Sequence, residues 1–210
     1  MPELPEVESY ARALKREYAG KTISWVVFHR DNIRNMLDKK GLREVLEKHK
    51  LSDVYRDGKR LVMKTGGGEV VISLGMSGSF VPAHSVPVKH EHITLKFTDG
   101  SALGYIDPRR FGSWEVRSGT LPHHADPMSV DSLMKLFSSE RFIKSSRAIK
   151  DALLDQHEIG GIGNIYALEA LHLAGVSPLR KVSSLTNKEF TLLSTIIPKV
   201  LIKAIDKGGS

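Results

Sequence analysis

The apolar pattern of this chain changes period near Arg117, and that change restricts the fold more than any other feature of the sequence. Before it, short runs of branched and aromatic residues are separated by glycine turns. Thr22 to Phe28 reads as a strand. Leu61 to Met63 and Val70 to Leu74 flank Gly66-Gly67-Gly68, which is a hairpin signal. Ile93 to Phe97 and Ala102 to Tyr105 flank Thr98-Asp99-Gly100-Ser101, a second hairpin, and Ser113 to Val116 is a further short strand. Apolar spacing at Val7, Tyr10, Ala11, Leu14 and Tyr18 predicts a helix over 5–19, with Gly20 where a C-terminal cap belongs. Leu42, Val45 and Leu46 predict a short helix before Leu51, after which strands follow. Beyond Arg117 the period is helical. Ser129 can cap a helix carrying Val130, Leu133, Leu136 and Phe137, and three more helices are expected at 146–156, 164–174 and 186–206. The reading is α+β. Antiparallel sheet with an N-terminal helix laid against it occupies 1–117, a linker with two prolines and the pair His123-His124 occupies 118–128, and a small helical domain occupies 129–210.

Net charge is +7 and the pI is near 9.5, so a polyanionic partner is favoured. No apolar run approaches the ~18 to 20 residues of a membrane span, and no basic segment precedes an apolar run at the N-terminus. A cytoplasmic protein that faces nucleic acid, with no membrane partner, is therefore expected. The chain has no cysteine, which excludes disulfides and thiolate zinc sites. The histidines, His90, His92, His123 and His124 among them, have no carboxylate partners at ligand spacing, so no metal site is expected.

Chemistry is concentrated in Met1-Pro2-Glu3-Leu4-Pro5-Glu6-Val7. Removal of Met1 leaves Pro2 as a free secondary amine beside Glu3. Terminal amines have pKa values near ~8, so a useful fraction is unprotonated at neutral pH. Such an amine condenses with an aldehyde to give a cationic iminium, an electron sink suited to elimination on a sugar. The plainer reading is a helix start, with Pro5 in the first turn and Glu6 and Glu8 near a helix N-terminus. The two readings are compatible.

Four other stretches each carry two readings. Gly160-Gly161-Ile162-Gly163-Asn164 is either an ordinary helix–helix turn or a phosphate site, in which Asn164 caps the next helix and its amides face an anion. Lys150, on the preceding helix, is either a second phosphate contact or a surface charge. In Asp107-Pro108-Arg109-Arg110-Phe111-Gly112, Phe111 either fills the core or, with Arg109, enters a DNA groove. Met76, in Gly75-Met76-Ser77-Gly78, is either core filler or a wedge. Lys59 sits at a strand start, and His90 can donate to a phosphate.

In order along the chain, Pro2-Glu3-Leu4-Pro5-Glu6-Val7-Glu8, Leu74-Gly75-Met76-Ser77-Gly78, Lys89-His90-Glu91-His92, Asp107-Pro108-Arg109-Arg110-Phe111-Gly112 and Leu153-Leu154-Asp155-Gln156 with Gly161-Ile162-Gly163-Asn164-Ile165-Tyr166 resemble formamidopyrimidine-DNA glycosylases. The resemblance spans nearly the whole chain. It implies a two-layer antiparallel β-sandwich with an N-terminal helix, then a helix–two-turns–helix domain, with damaged duplex DNA crossing between them. It also implies a monomeric glycosylase for oxidised purines that cleaves abasic sites without metal or organic cofactor. Pro2 then resembles the Schiff-base nucleophile at C1′, Glu3 the acid that protonates the sugar, Lys59 the lysine that assists elimination, and Glu6 a support of the pocket. Met76, Arg109 and Phe111 resemble the trio that fills the gap left by a flipped base. His90, Lys150 and Asn164 resemble phosphate contacts. The family continues into a loop over the flipped base and a finger usually held by four cysteines. This sequence has no cysteine, and Gly208-Gly209-Ser210 falls where that loop begins, so the zinc finger is expected to be absent. Two rivals remain at this stage: an endonuclease VIII-like preference for oxidised pyrimidines, and a non-catalytic binder of damaged DNA.

Overall fold

The computed structural model describes residues 2–84, 86–119 and 124–209. Helix α1 (Leu4–Tyr18) carries Glu6 in its first turn and Lys15 and Arg16 in its last, each sign at the end of the helix dipole that favours it. Gly20, at φ +92°, ends it. Among the described residues the strands number eight: β1 (Ile23–Phe28), β2 (Leu51–Asp57), β3 (Arg60–Thr65), β4 (Gly68–Ser73), β5 (Ser79–Pro82), β6 (Glu91–Phe97), β7 (Ala102–Ile106) and β8 (Ser113–Val116), with α2 (Lys39–Leu46) between β1 and β2. They form two four-stranded sheets, ordered β1-β6-β7-β5 and β2-β3-β4-β8, antiparallel at every pairing. Both hairpins read from the sequence are present, as β3–β4 and β6–β7.

One core is fed from both sheets. Ile23, Val26, Ile93, Leu95 and Tyr105 come from the first, and Val54, Leu61, Met63, Ile72 and Trp114 from the second. Val7, Ala11, Leu14 and Tyr18 of α1 and Leu42, Val45 and Leu46 of α2 bury against them. The helix period of α1 and the two-residue period of the strands thus point into the same interior. Strand β5 has no sequence signal of its own. It is a four-residue edge strand ending in a proline, without alternation, and its register is supplied by β7.

The helical half comprises α3 (Val130–Phe137), α4 (Glu140–Ile143), α5 (Ile149–Leu154), α6 (Asn164–Leu173), a 3-10 turn (Val182–Ser184) and α7 (Asn187–Asp206). Ser129 caps α3 by accepting from the Ser132 N–H, as its position predicts. Thr186 and Glu189 form a reciprocal capping box on α7, and Arg180 clasps the Glu189 carboxylate. The sequence gives four helices here, whereas α4 and the 3-10 turn are additional. At four and three residues they span about one helical turn, too short for an apolar repeat, so no periodicity marks them. Within the span expected as linker, residues 120–123, including His123, lie outside the described residues. Ala125 is already tied into the helical half: its N–H donates to the Glu158 carbonyl at 2.8 Å, and its carbonyl accepts from Gly160 at 3.1 Å.

The chain divides into two compact units, Pro2 with Val7–Gly119, and Glu3–Glu6 with the helical second half. Leu4 accordingly lies in the core of α3, α5, α6 and α7, whereas Val7 lies in the sandwich core.

Candidate active site

The glycine turn before α6 receives the Glu3 carboxylate. Its Oε1 accepts from the Ile165 N–H at 3.0 Å, and its Oε2 accepts from the Tyr166 N–H at 3.4 Å. Glu3 is buried, and an N-terminal helix end is where the dipole favours a carboxylate. Gly163 makes the approach possible. A Cβ built there falls 2.2 Å from Glu3 Cδ, so the residue is small for space, and its φ of −124° is open to any side chain. Gln156 shapes the same turn from inside. Its carboxamide donates to the carbonyls of Leu154 and Ile162 and accepts from the Gly161 N–H.

One sequence expectation is corrected here. Gly163, and not Asn164, is the N-cap of α6, and the cap hydrogen bonds come from Glu3 rather than from an asparagine side chain. Two N–H groups of this helix end, those of Ile165 and Tyr166, are therefore held by an internal carboxylate. Asn164 stands exposed at the first helical position, where an N–H has no intrahelical partner. Lys150 is half-buried near the start of α5, with its N–H donating to the Pro178 carbonyl at 3.3 Å.

Glu6 fixes the backbone of Glu3. Its Oε2 accepts from the Glu3 N–H at 2.8 Å, and its Oε1 accepts from the Tyr166 hydroxyl at 2.6 Å. Tyr166 was invisible as a site residue in the sequence. It lies 160 positions from Glu6, and an aromatic at helical spacing reads as core. Lys59 follows Gly58 in the β2–β3 turn and is half-buried.

In the sandwich unit, the loops 74–78 and 107–112 are bound to each other by one buried carboxylate. Asp107 is fully buried. Its Oδ1 accepts from the Ser77 hydroxyl at 2.5 Å and its Oδ2 from the Gly112 N–H at 2.8 Å. Ser77 Oγ in turn accepts from the Arg109 N–H at 3.1 Å, and His92 donates to the Asp107 carbonyl at 2.8 Å. Burial, reinforced by the Asp107 charge, pushes the neighbouring Tyr105 phenol well above its ordinary pKa, so it stays neutral. Two glycines let the loops touch. Gly75, at φ +59°, would place a Cβ 2.4 Å from the Phe111 carbonyl carbon, and a Cβ on Gly112 would fall 1.9 Å from the Tyr105 oxygen. Neither glycine tolerates a methyl group without displacing backbone.

The result is an exposed trio. Met76 is 47% exposed and Phe111 49%, and Arg109 Nη1 lies 3.7 Å from Met76 Sδ. Ile33, Arg34, Gly75 and Arg110 complete the lining of a recess of about 640 Å³ beside them. The core-filling readings of Met76 and Phe111 are thereby set aside. His90, at φ +67°, is exposed in the adjoining turn, where its carbonyl accepts from the Asp107 N–H. A backbone held in this strained region needs fixed surroundings, and the Asp107 bond supplies one of them.

A two-layer antiparallel sandwich presenting such a trio, joined to a helical unit whose glycine turn opens a helix, defines the fold class of the helix–two-turns–helix glycosylases. The formamidopyrimidine-DNA glycosylase N-terminal domain matches residues 1–114, and the formamidopyrimidine-DNA glycosylase H2TH domain matches residues 124–210. The chain belongs to the formamidopyrimidine-DNA glycosylase family. It is 39% identical over 220 residues to the formamidopyrimidine-DNA glycosylase of an Exiguobacterium species and 36% identical over 218 residues to that of Vibrio atlanticus, covering 100% of this chain and 80% of each relative. Among solved structures it resembles Lactococcus lactis Fpg non-covalently bound to DNA containing an AP site (TM-score 0.87, 32% identity, 99% of this chain and 83% of that one). It also resembles MutM in complex with DNA containing carbocyclic 8-oxo-G (TM-score 0.87, 33% identity, 100% of this chain and 81% of that one).

Proposed function

We propose that this protein excises oxidised purines from duplex DNA and cleaves the abasic site it creates. The observation that carries the reading is the Met76–Arg109–Phe111 trio, which is exposed and held by Asp107 on two clamped loops. Chemistry on a stacked base requires its extrusion, and something must fill the vacancy. An apolar ring, a flexible thioether and a guanidinium suit that task. The relatives' names and the damaged DNA in the solved complexes support the same substrate class.

In this reading the Pro2 nitrogen attacks C1′, and the base leaves with the electrons of the glycosidic bond, taking up the proton that the Pro2 nitrogen sheds. Glu3 delivers a proton to the sugar ring oxygen as the ring opens, leaving an iminium between Pro2 and C1′. The C2′ proton is then removed, its electron pair runs through C1′ to the iminium nitrogen, and the enamine expels the 3′ phosphate. Lys59 assists that elimination. Pro2, Glu3 and Lys59 supply these steps without calling on a metal or organic cofactor. Glu6 and Tyr166 hold Glu3 in place. His90, Lys150 and Asn164 serve as phosphate contacts, Asn164 through its exposed amide at the start of α6.

The test is single-turnover kinetics on 8-oxoguanine and abasic duplexes with the wild type and Phe111→Ala. Both activities are expected of the wild type. Phe111→Ala should slow 8-oxoguanine excision about 10- to 100-fold, since unstacking costs a few kcal/mol and the wedge offsets part of it. Cleavage at the abasic site, where no base remains to be extruded, should change much less. Equal losses on both substrates would make Phe111 a structural residue and remove the observation on which the reading rests. Glu3→Gln should still bind damaged duplex while losing base excision, because an amide cannot donate a proton as a carboxylic acid does. Wild-type excision rates in that variant would take Glu3 out of the mechanism.

A further inference from the structure

Arg56 lies on β2 with its side chain only 11% exposed. Its Nε donates to Glu8 Oε2 at 3.1 Å, and its Nη1 donates to the Gly58 carbonyl at 3.2 Å. Glu8 is on α1, the helix that begins just after Glu3, and Gly58 is the residue before Lys59. One guanidinium therefore grips both the helix that follows Pro2 and the turn that carries Lys59.

Chain reversal alone does not require this. Strands β2 and β3 are already paired from Leu51↔Thr65 to Asp57↔Arg60, which closes the turn. Gly58 supplies the φ of +59° that the reversal needs. The other flank of the turn is held too. Asp57 is buried, accepts from Arg60 at 2.8 Å, and lies 3.6 Å from Arg117. A rigid planar fork with two directed bonds transmits orientation as well as charge, which a lysine on a flexible stem does not. The half-buried arginine is thus built to fix where the turn points relative to α1.

We propose that Arg56 is a positioning residue for Lys59. By locking the β2–β3 turn to Glu8, it keeps the Lys59 amine in register with the Pro2 nitrogen during elimination. The inference rests on the roles proposed above for Pro2 and Lys59. Glu8 belongs to the same device, as the anchor on the helix side.

The experiment compares strand cleavage at an abasic duplex with borohydride trapping of the covalent adduct, using the full chain. Arg56→Gln should lower the cleavage rate about 10- to 100-fold, the scale of a misplaced group near a reacting centre. The trapped yield should stay within about twofold, since iminium formation at Pro2 does not use Lys59. In a Lys59→Ala background, Arg56→Gln should have no further effect, because a residue acting only through Lys59 is silent without it. Should Arg56→Gln melt at the assay temperature, Arg56→Lys carries the same comparison, since it keeps charge beside Glu8 but lacks the fork. If the two changes multiply, or if trapping falls in step with cleavage, Arg56 acts independently of Lys59 and the proposal is overturned. If Lys59→Ala alone cleaves at the wild-type rate, Lys59 is not the assisting lysine, and the failure lies in the underlying reading.

Discussion

A chain carrying one uncleaved residue ahead of Pro2 is expected to yield no borohydride-stable adduct with an abasic duplex. The reason is the bonding at nitrogen. Acylation makes the Pro2 nitrogen a tertiary amide whose lone pair is delocalised into the carbonyl, as in any peptide bond. It has no hydrogen to lose and no free pair with which to attack C1′. The loss should therefore be complete rather than partial. Duplex affinity should barely change, because phosphate contacts, not the terminal amine, dominate it. Pro2→Gly provides the contrast, since a primary terminal amine still condenses with an aldehyde, so some trapping should survive. Gel-shift titration and adduct yield, measured on the same three proteins, separate binding from covalent chemistry. Undiminished trapping by the extended chain would sink Pro2 as the nucleophile and direct attention to a lysine.

Pro2 is the part of the candidate site most legible in the sequence, because the chemistry proposed for it depends on a chain end and not on a fold. The exposed Met76–Arg109–Phe111 trio is legible only in outline. Asp107-Pro108-Arg109-Arg110-Phe111-Gly112 marks a turn, but whether Phe111 faces water or the core depends on a partner loop more than thirty residues upstream. That loop arrives through Asp107, which reads in the sequence as a turn former and in the structure as a buried acceptor for Ser77 and Gly112. The exposed sides of Met76 and Phe111 follow from this clamp and from the close approach at Gly75. The hairpins and the longer helices were written in local periodicity and glycine placement. Strand β5 was not, because its register comes from β7. The glycine turn before α6 is legible in the sequence, and the Glu3 carboxylate that packs into it is not. A helix N-terminus attracts any nearby anion, and the sequence offers no sign that Glu3, 162 positions from Ile165, reaches it.

That contact sets the sharpest mutational expectation in the helical unit. Gly163→Ala should cut base excision by roughly 10²- to 10⁴-fold, the usual contribution of a positioned acid. A methyl group at this position meets Glu3 Cδ at 2.2 Å and Oε1 at 2.4 Å, so the carboxylate and the methyl cannot share the site. Because the clash falls on the far end of a flexible side chain, the cheaper response is for Glu3 to move, not for α6 to unravel. Glu3 then loses the Ile165 and Tyr166 N–H groups that aim it. The stability cost should be modest, about 1 kcal/mol for a lost helix cap, and circular dichroism should show a folded protein. The pair Glu3→Gln and Glu3→Gln/Gly163→Ala isolates the route. If alanine acts by displacing the acid, the double variant should excise no more slowly than Glu3→Gln alone, because the group being displaced is already inactive. A further loss in the double variant would mean that Gly163 serves the DNA or the helix directly. Wild-type excision by Gly163→Ala itself would mean that the α6 amides do not position Glu3 for the reaction.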